Sequence, residues 1–259
     1  MRKSFRQRAG AFATDDGRRI AAVDGVSLEV ESGETLAIVG ESGCGKTTLA
    51  RMLLRLIEPD SGELYFDGRD LLAAQGAELR ALRREMQMVF QDPFASLNPR
   101  MRVGEIVSEP LAIHEPRLGR AERRRRTREM LERVGLAVDA LGKFPHEFSG
   151  GQRQRIGIAR ALVLRPRLVV ADEPVAALDV SVGAQVLELL AELQRELGLT
   201  YVLISHSLPV VAQLATRIAV MHAGEFVEVG AAEQVLTRPA HAYTRALLEA
   251  VPRLVTAGQ

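Results

Sequence analysis

The chain has 259 residues, 47% hydrophobic and 26% charged, which suffices for one large domain with a sizeable core. Its 34 basic and 33 acidic side chains leave a formal net charge of +1, which argues against bulk electrostatic binding of nucleic acid. Its one cysteine, Cys44, excludes an internal disulfide framework and suits a reducing compartment.

The opening "MRKSFRQRAGAF" is charged and has no apolar h-region, so no signal peptide is expected. No apolar run approaches the ~18–20 residues needed to span a bilayer, so any membrane work goes through a partner. Residues 1–20 read as a poorly ordered arm or a short edge strand. "VSLEV" (26–30) alternates apolar and polar, as a half-buried strand does. After the turn "ESGE", "TLAIV" (35–39) is a buried strand. A helix follows with leucines at 49, 53, 54 and 56, and Pro59 and Gly62 end it. "ELYFDG" reads as strand and turn, and "MQMVF" (86–90) as a short strand. From about 92 to 165 helical patterns take over, with amphipathic helices in "VGEIVSEPLAIH" and in "RAERRRRTREMLERVGL", the second stopped by Gly135. The α/β rhythm then returns. "RLVVAD" (167–172) is a buried strand, 181–197 a long helix and "TYVLIS" (200–205) a strand. "RIAVMHAGEFVEVG" (217–230) is a hairpin turning at Ala223-Gly224, and "HAYTRALLEAVP" is a short helix ended by proline. The expected fold is one α/β domain over 1–259, with a helical lobe inserted at about 92–165.

"GESGCGKT" (40–47) matches the phosphate loop G-x-x-x-x-G-K-[ST] between a predicted strand and a predicted helix. Its residues are Gly40, Glu41, Ser42, Gly43, Cys44, Gly45, Lys46 and Thr47, with Thr48 behind. The glycines let backbone N–H groups turn inward, and with the helix N-terminus they form an anion site. Lys46 reaches the β- and γ-phosphates, and the Thr47 hydroxyl is placed to ligand Mg²⁺. Cys44 reads as a small side chain where only the backbone matters, rather than as a redox sensor. "RLVVADEP" ends a strand with two acids, Asp172 for the Mg²⁺ shell and Glu173 as general base for water. His206 follows another strand at the edge where ligands gather in open α/β sheets.

"FSGGQRQRIGIARAL" (148–162) narrows the class. Ser149, Gly150, Gly151 and Gln152 open a helix with bare N–H groups, a second anion site in one chain. One nucleotide needs one phosphate loop, so the simplest geometry is a head-to-tail pair, each chain lending its second site to the other's nucleotide.

Over residues 20–250 the chain resembles the ATP-binding subunit of an ABC transporter. The phosphate loop stands at 40–47, the Q-loop at Gln91, the signature at 148–152, and the Walker B acids at Asp172 and Glu173. "ALD" matches the D-loop with Asp179, and His206 the switch histidine. The resemblance implies a phosphate-loop NTPase core with an antiparallel β edge and an inserted helical subdomain. It implies ATP and Mg²⁺, with Thr47, Gln91 and Asp172 around the metal, and catalysis by Glu173, Gln91 and His206. "QDPFASLNPRMRVGEIVSEPL", "DEPVAALDVSVGAQVLELL" and "HAYTRALL" are similar to the oligopeptide, dipeptide and nickel uptake group, and to its F-type subunit. The implied partners are two membrane permease subunits, a second ATPase subunit and, indirectly, an extracytoplasmic solute-binding protein. A heterodimer is the family pattern, and a homodimer is chemically open because both phosphate sites are intact. The implied place is the cytoplasmic face of the inner membrane, held peripherally, with no nucleic acid.

The chain departs from the group at Phe148, where leucine is commoner, and at Ala176 and Ala177, near the implied dimer face. Ser207 stands for an aspartate and Ala242 for a proline. The adenine-stacking aromatic is assigned to Phe12, with Phe5 behind it. The run "RAERRRR" (120–126) is interleaved with Glu122, Glu129 and Glu132, as a solvated helical face is, with lipid headgroups the alternative. A cytosolic ABC-type ATPase acting on DNA or ribosomes is disfavoured by the absence of a coiled-coil insertion or a second ATPase domain. A small-molecule kinase has no reason to hold "SGGQ". The cargo is expected to be peptide first, nickel or a metal chelate second.

Overall fold

The computed structural model describes residues 1–6 and 19–250. In chain order the elements are β1 (Lys3–Arg6), β2 (Arg19–Val23), β3 (Thr35–Val39), α1 (Lys46–Leu53), β4 (Tyr65–Phe66), β5 (Arg69–Asp70), α2 (Gly76–Glu85) and β6 (Met86–Val89). Then come α3 (Pro93–Ser96), α4 (Val103–His114), α5 (Arg120–Arg133), α6 (Gly150–Leu162), β7 (Leu168–Asp172), α7 (Val180–Leu197) and β8 (Thr200–Ser205). The chain closes with α8 (Leu208–Leu214), β9 (Arg217–His222), β10 (Glu225–Ala231), α9 (Ala232–Thr237) and α10 (Ala242–Glu249).

The main sheet has six strands in the order β10-β9-β3-β8-β7-β6. β6, β7, β8, β3 and β9 run parallel, and β10 returns antiparallel at one edge. β3 and β8 are buried at every position, as central parallel strands are when helices cover both faces. The two faces divide the strand residues by alternation. Ala37, Val39, Val169, Ala171 and Leu203 face one apolar cluster, which continues into α4 to α7. Leu36, Ile38, Val170, Val202 and Ile204 face the other, with α1 and Leu82 of α2. Between β6 and β7 the chain is helical, with α3, α4, α5, two 3-10 turns and α6.

The register matters most for function. Val39 lies opposite Ser205, Asp172 opposite Ile204, and Val89 opposite Ala171. The residues that follow these strand ends therefore emerge along one edge, the edge that collects ligands in such sheets.

Several local expectations need correction. The alternation at 26–30 is real in burial, with Val26 buried and Ser27 and Glu29 exposed, but no strand ladder forms there. The short antiparallel ribbon is instead β1 with β2, so Lys3–Arg6 takes the strand alternative of the two read for 1–20, and residues 7–18 lie outside the described residues. The helix after the phosphate loop stops at Leu53, before Leu56. Arg55 takes a positive φ of 49°. Its N–H bonds Met52 O at 2.8 Å and the Leu56 N–H bonds Arg51 O at 2.8 Å, the Schellman pattern in which glycine is usual. The Arg55 guanidinium holds this bend by donating to Leu71 O and to Glu58 Oε1, each at 2.8 Å. Gly135 closes α5 by the same pattern, as its residue type predicts. The hairpin turn at Ala223 (φ 47°) and Gly224 (φ 90°) has both residues left-handed, the type I′ geometry that matches strand twist.

The arginine run on α5 is laced with ion pairs. Arg125 meets Glu122 and Glu129, Arg126 meets Glu115 and Glu122, and Arg128 meets Glu132. The two guanidinium groups of Arg125 and Arg126 hold the Glu122 carboxyl down at about 2. This interleaving of acids with part of the run is the pattern expected of a solvated helical face.

Candidate ATP site

The phosphate loop joins β3 to α1. Lys46 is buried at 4% exposure, and its ammonium donates to Gly40 O at 2.8 Å and to Glu41 O at 2.7 Å. Two glycines are sterically required. A Cβ on Gly40 would collide with Met221 O, and one on Gly45 (φ 112°) with Ala22 O. The loop is thus wedged between the end of β9 and β2, and the Gly224 N–H closes on Cys44 O at 3.0 Å. Its back is also held, because the Glu41 N–H donates to the Tyr243 hydroxyl at 3.2 Å.

The acids of β7 meet the loop. Thr47 Oγ1 donates to Asp172 Oδ1 at 3.2 Å, so hydroxyl and carboxylate converge beside the loop. Burial pushes the Asp172 carboxyl above its ordinary range, and the Glu173 charge adds to this, while the Thr47 hydrogen bond works against it. The shift is upward, so ionising Asp172 disfavours the folded state. That penalty is absent below the unfolded carboxylate value and complete above the folded one. A cation beside the carboxylate relieves it. The residues present therefore suit a hard divalent cation such as Mg²⁺.

Glu173 has a positive φ of 45°, and its N–H is tied to Ile204 O at 2.9 Å. This aims the side chain along the sheet edge. Glu173 Oε2 accepts from Gln91 Nε2 at 3.1 Å and lies 3.1 Å from His206 Nδ1. Three strand ends, those of β6, β7 and β8, thus deliver Gln91, Glu173 and His206 to one oxygen. Thr47, Gln91 and Asp172 also line one end of a cleft whose further walls include Phe90, Ala95 and Pro110.

The signature residues lie at the start of α6. Ser149 Oγ accepts from Gln152 N at 3.4 Å and Ser149 N donates to Gln152 Oε1 at 3.0 Å, a reciprocal capping box. Gly151 is needed for packing, since a Cβ there would meet Val182 Cγ1 of α7. Asp179 precedes α7 and is exposed, as are Ala176 and Ala177. Ser149 and Gln152 bond each other rather than the chain's own phosphate loop. Phe148 is buried in the apolar core, a place that takes a large apolar side chain. Ala242 is the first residue of α10, where a proline loses nothing because that N–H is unpaired in any helix. Phe5 lies in β1 on the ribbon, 5.7 Å from the Lys3 ammonium, and Phe12 lies outside the described residues. The sequence reading missed Tyr243 and its ring partner His222. The signal was present in "HAYTRALL", but no spacing rule ties a tail helix to a loop some 200 residues earlier.

Cys44 is buried beside this machinery, its Sγ 3.8 Å from the Lys46 ammonium. A small thiol-reactive probe is expected to inhibit the ATPase by steric block, slowly because of the burial, and MgATP is expected to protect. Cys44→Ser should stay active and become resistant. Loss of activity in that variant would show that the thiol itself is needed.

Comparison with known proteins agrees with this geometry. A model of the ABC transporter family matches residues 23–176, and a model of the oligopeptide/dipeptide transporter C-terminal region matches 227–259. The chain is 52% identical over 235 residues to the oligopeptide transport ATP-binding protein OppF of Escherichia coli (strain K12), covering 91% of this chain and 70% of that one. It is 52% identical over 255 residues to the dipeptide transport ATP-binding protein DppF of Haemophilus influenzae, covering 98% and 77%. Among solved structures, the dimeric structure of MJ0796, a bacterial ABC transporter cassette, superposes with a TM-score of 0.78 at 32% identity, covering 89% of this chain and 96% of that one. CbiO1 from Clostridium perfringens, part of the ABC transporter complex cbiONQ, gives 0.77 at 30% identity, covering 88% of each chain. One family match spans the phosphate loop, the signature helix and the β7 acids together, and the chain therefore belongs to the ABC transporter family as an ATP-binding subunit, an ATPase that serves transport.

Proposed function

We propose that this chain is the ATP-hydrolysing motor subunit of a peptide importer, with oligopeptides or dipeptides as cargo and nickel or a metal chelate as the second reading. The single observation that carries the motor assignment is the meeting of Gln91 and His206 on one oxygen of Glu173, beside the Thr47–Asp172 contact. The cargo reading rests on the names of the relatives and on the match of 227–259 to the peptide-transporter C-terminal region.

In this reading Gly40 to Thr48 cradle the ATP phosphates and Lys46 neutralises their charge. Thr47, Asp172 and Gln91 would hold Mg²⁺, which would supply neutralising charge to the phosphates. Glu173 takes a proton from the attacking water, with Gln91 and His206 orienting its carboxylate. His206 also contacts the γ-phosphate. Ser149, Gly150, Gly151 and Gln152 close over the nucleotide of a partner ATPase, and Asp179 faces that partner. Gln91 begins the segment leading into α3, which α6 grips through Arg153, 4.0 Å from the Phe94 ring centre. That placement supports a route from nucleotide to permease.

The partners are two membrane permeases and a second ATPase subunit, with a solute-binding protein acting through the permeases. Among the described residues no helix is long and apolar enough to cross a membrane. Attachment to the cytoplasmic face of the inner membrane is, in this reading, through the permeases.

Ser149→Arg tests the in-trans arrangement. ATP binding to the isolated subunit should be intact, because the site is used by the partner, while hydrolysis in the assembled pair should stop. Joint loss of binding and hydrolysis would contradict the arrangement.

A further inference from the structure

The tail helix reaches the phosphate loop through a hydrogen bond. The Glu41 N–H donates to the Tyr243 hydroxyl at 3.2 Å, while the Glu41 carbonyl accepts from Lys46 at 2.7 Å. Both polar groups of one loop residue are thus engaged, the carbonyl from inside and the N–H from outside. Tyr243 is itself held from three directions. Its own N–H donates to His241 Nδ1 at 3.1 Å, at the start of α10. Its ring lies 4.1 Å from the His222 ring at the end of β9, tilted by 39°. The Glu228 carboxylate of β10 accepts from the N–H groups of Ala240 and His241 at 2.8 and 3.0 Å, anchoring the turn that leads into the helix. The same β9 end supplies Met221 O, against which Gly40 is wedged. Burial raises the Tyr243 phenol, and its oxygen has a lone pair that accepts the Glu41 N–H.

We propose that Tyr243 is a positioning residue for nucleotide binding: through its hydroxyl the tail helix α10 holds the phosphate loop in the shape that presents its donors to phosphate. The inference rests on the assignment of 40–47 as the ATP site and extends it to a tail residue that touches no phosphate. A preformed loop binds more tightly because less freedom is lost on binding. The brace lies behind the loop and away from Glu173, so it acts on affinity and not on the chemical step.

The test compares Tyr243→Phe with Tyr243→Leu. Phenylalanine keeps the ring against His222 and removes only the hydroxyl. Tyr243→Phe is expected to weaken MgATP binding about three- to tenfold, the range of one net hydrogen bond. It should also speed hydrogen exchange at the Glu41 amide. In the assembled transporter, KM for ATP should rise with kcat within about twofold. A packing role alone would give the opposite pattern, with Tyr243→Phe like the wild type and only Tyr243→Leu impaired, and that result would overturn the proposal. Lys46→Ala measured in parallel separates the two layers of the argument. If it lowers affinity while Tyr243→Phe does not, the brace fails alone. If neither does, the ATP assignment of the loop has failed first.

Discussion

Glu173→Gln is expected to slow ATP hydrolysis by about 10²–10⁴-fold, the usual cost of losing a general base, while ATP still binds. The geometry makes this variant a clean one. Glu173 Oε2 is met by Gln91 Nε2 and His206 Nδ1 at 3.1 Å each, and a glutamine oxygen can accept the same contacts. The backbone there has a positive φ of 45° and is pinned to Ile204 O, so the replacement, with its similar shape, should occupy the same place. What it cannot do is take the proton from water. Single-turnover hydrolysis and the amount of nucleotide retained after gel filtration measure the two halves of this expectation. Normal turnover would remove Glu173 from the chemistry. Because ATP then stays bound, the closed pair should accumulate, and light scattering with MgATP reads it. Little dimer is expected from this chain alone and much more when the second ATPase subunit is added. A tight homodimer indifferent to that subunit would contradict the heterodimer proposal and leave the ATPase assignment standing.

Lys46→Ala should lower ATP affinity by at least about 100-fold. Charge-assisted hydrogen bonds contribute ~1.5–3 kcal/mol each, and ~1.4 kcal/mol is tenfold in affinity. The variant loses the cation aimed at the phosphates and the two hydrogen bonds from Lys46 to Gly40 O and Glu41 O that shape the loop. Both losses act in one direction. A fluorescence titration with a nucleotide analogue measures it, and unchanged affinity would sink the assignment of the loop.

The elements that the sequence made legible are those whose residues are dictated by one strong local cause. The runs "TLAIV" and "TYVLIS" are mostly apolar and buried at every position because β3 and β8 are covered on both faces. Gly135, and Ala223 with Gly224, mark a helix end and a hairpin turn where φ is positive. Legibility failed where tertiary context overrode the local pattern. Arg55 ends α1 in a conformation glycine usually takes, held by acceptors on the 71–74 segment that no local rule identifies. The alternation at 26–30 gave the right burial but no ladder, since pairing depends on a neighbour and not on periodicity. The short helices α2 and α8 were not anticipated. α2 carries a single fully buried residue, Leu82, with Leu79 packed beside it, so its apolar stripe is only two leucines long. At the site, motif residues were legible because phosphate and water chemistry restrict their types. Their convergence on Glu173 Oε2 was not, because it follows from the parallel register of β6, β7 and β8. The Tyr243 contact lay further out of reach, being a fold-level meeting of chain end and loop.

ATP hydrolysis by this chain is expected to drive peptide import. It is tested most directly in proteoliposomes holding this chain, its second ATPase and the two permeases, with ATP on the cytoplasmic side. A labelled peptide and a labelled nickel chelate are offered separately, each with the solute-binding protein. The peptide is expected to raise ATP hydrolysis and accumulate inside, the nickel chelate to do neither, and Glu173→Gln in this chain to lower both peptide signals. ATP hydrolysis unaffected by peptide, with no peptide accumulation in vesicles whose ATPase is active, would contradict it.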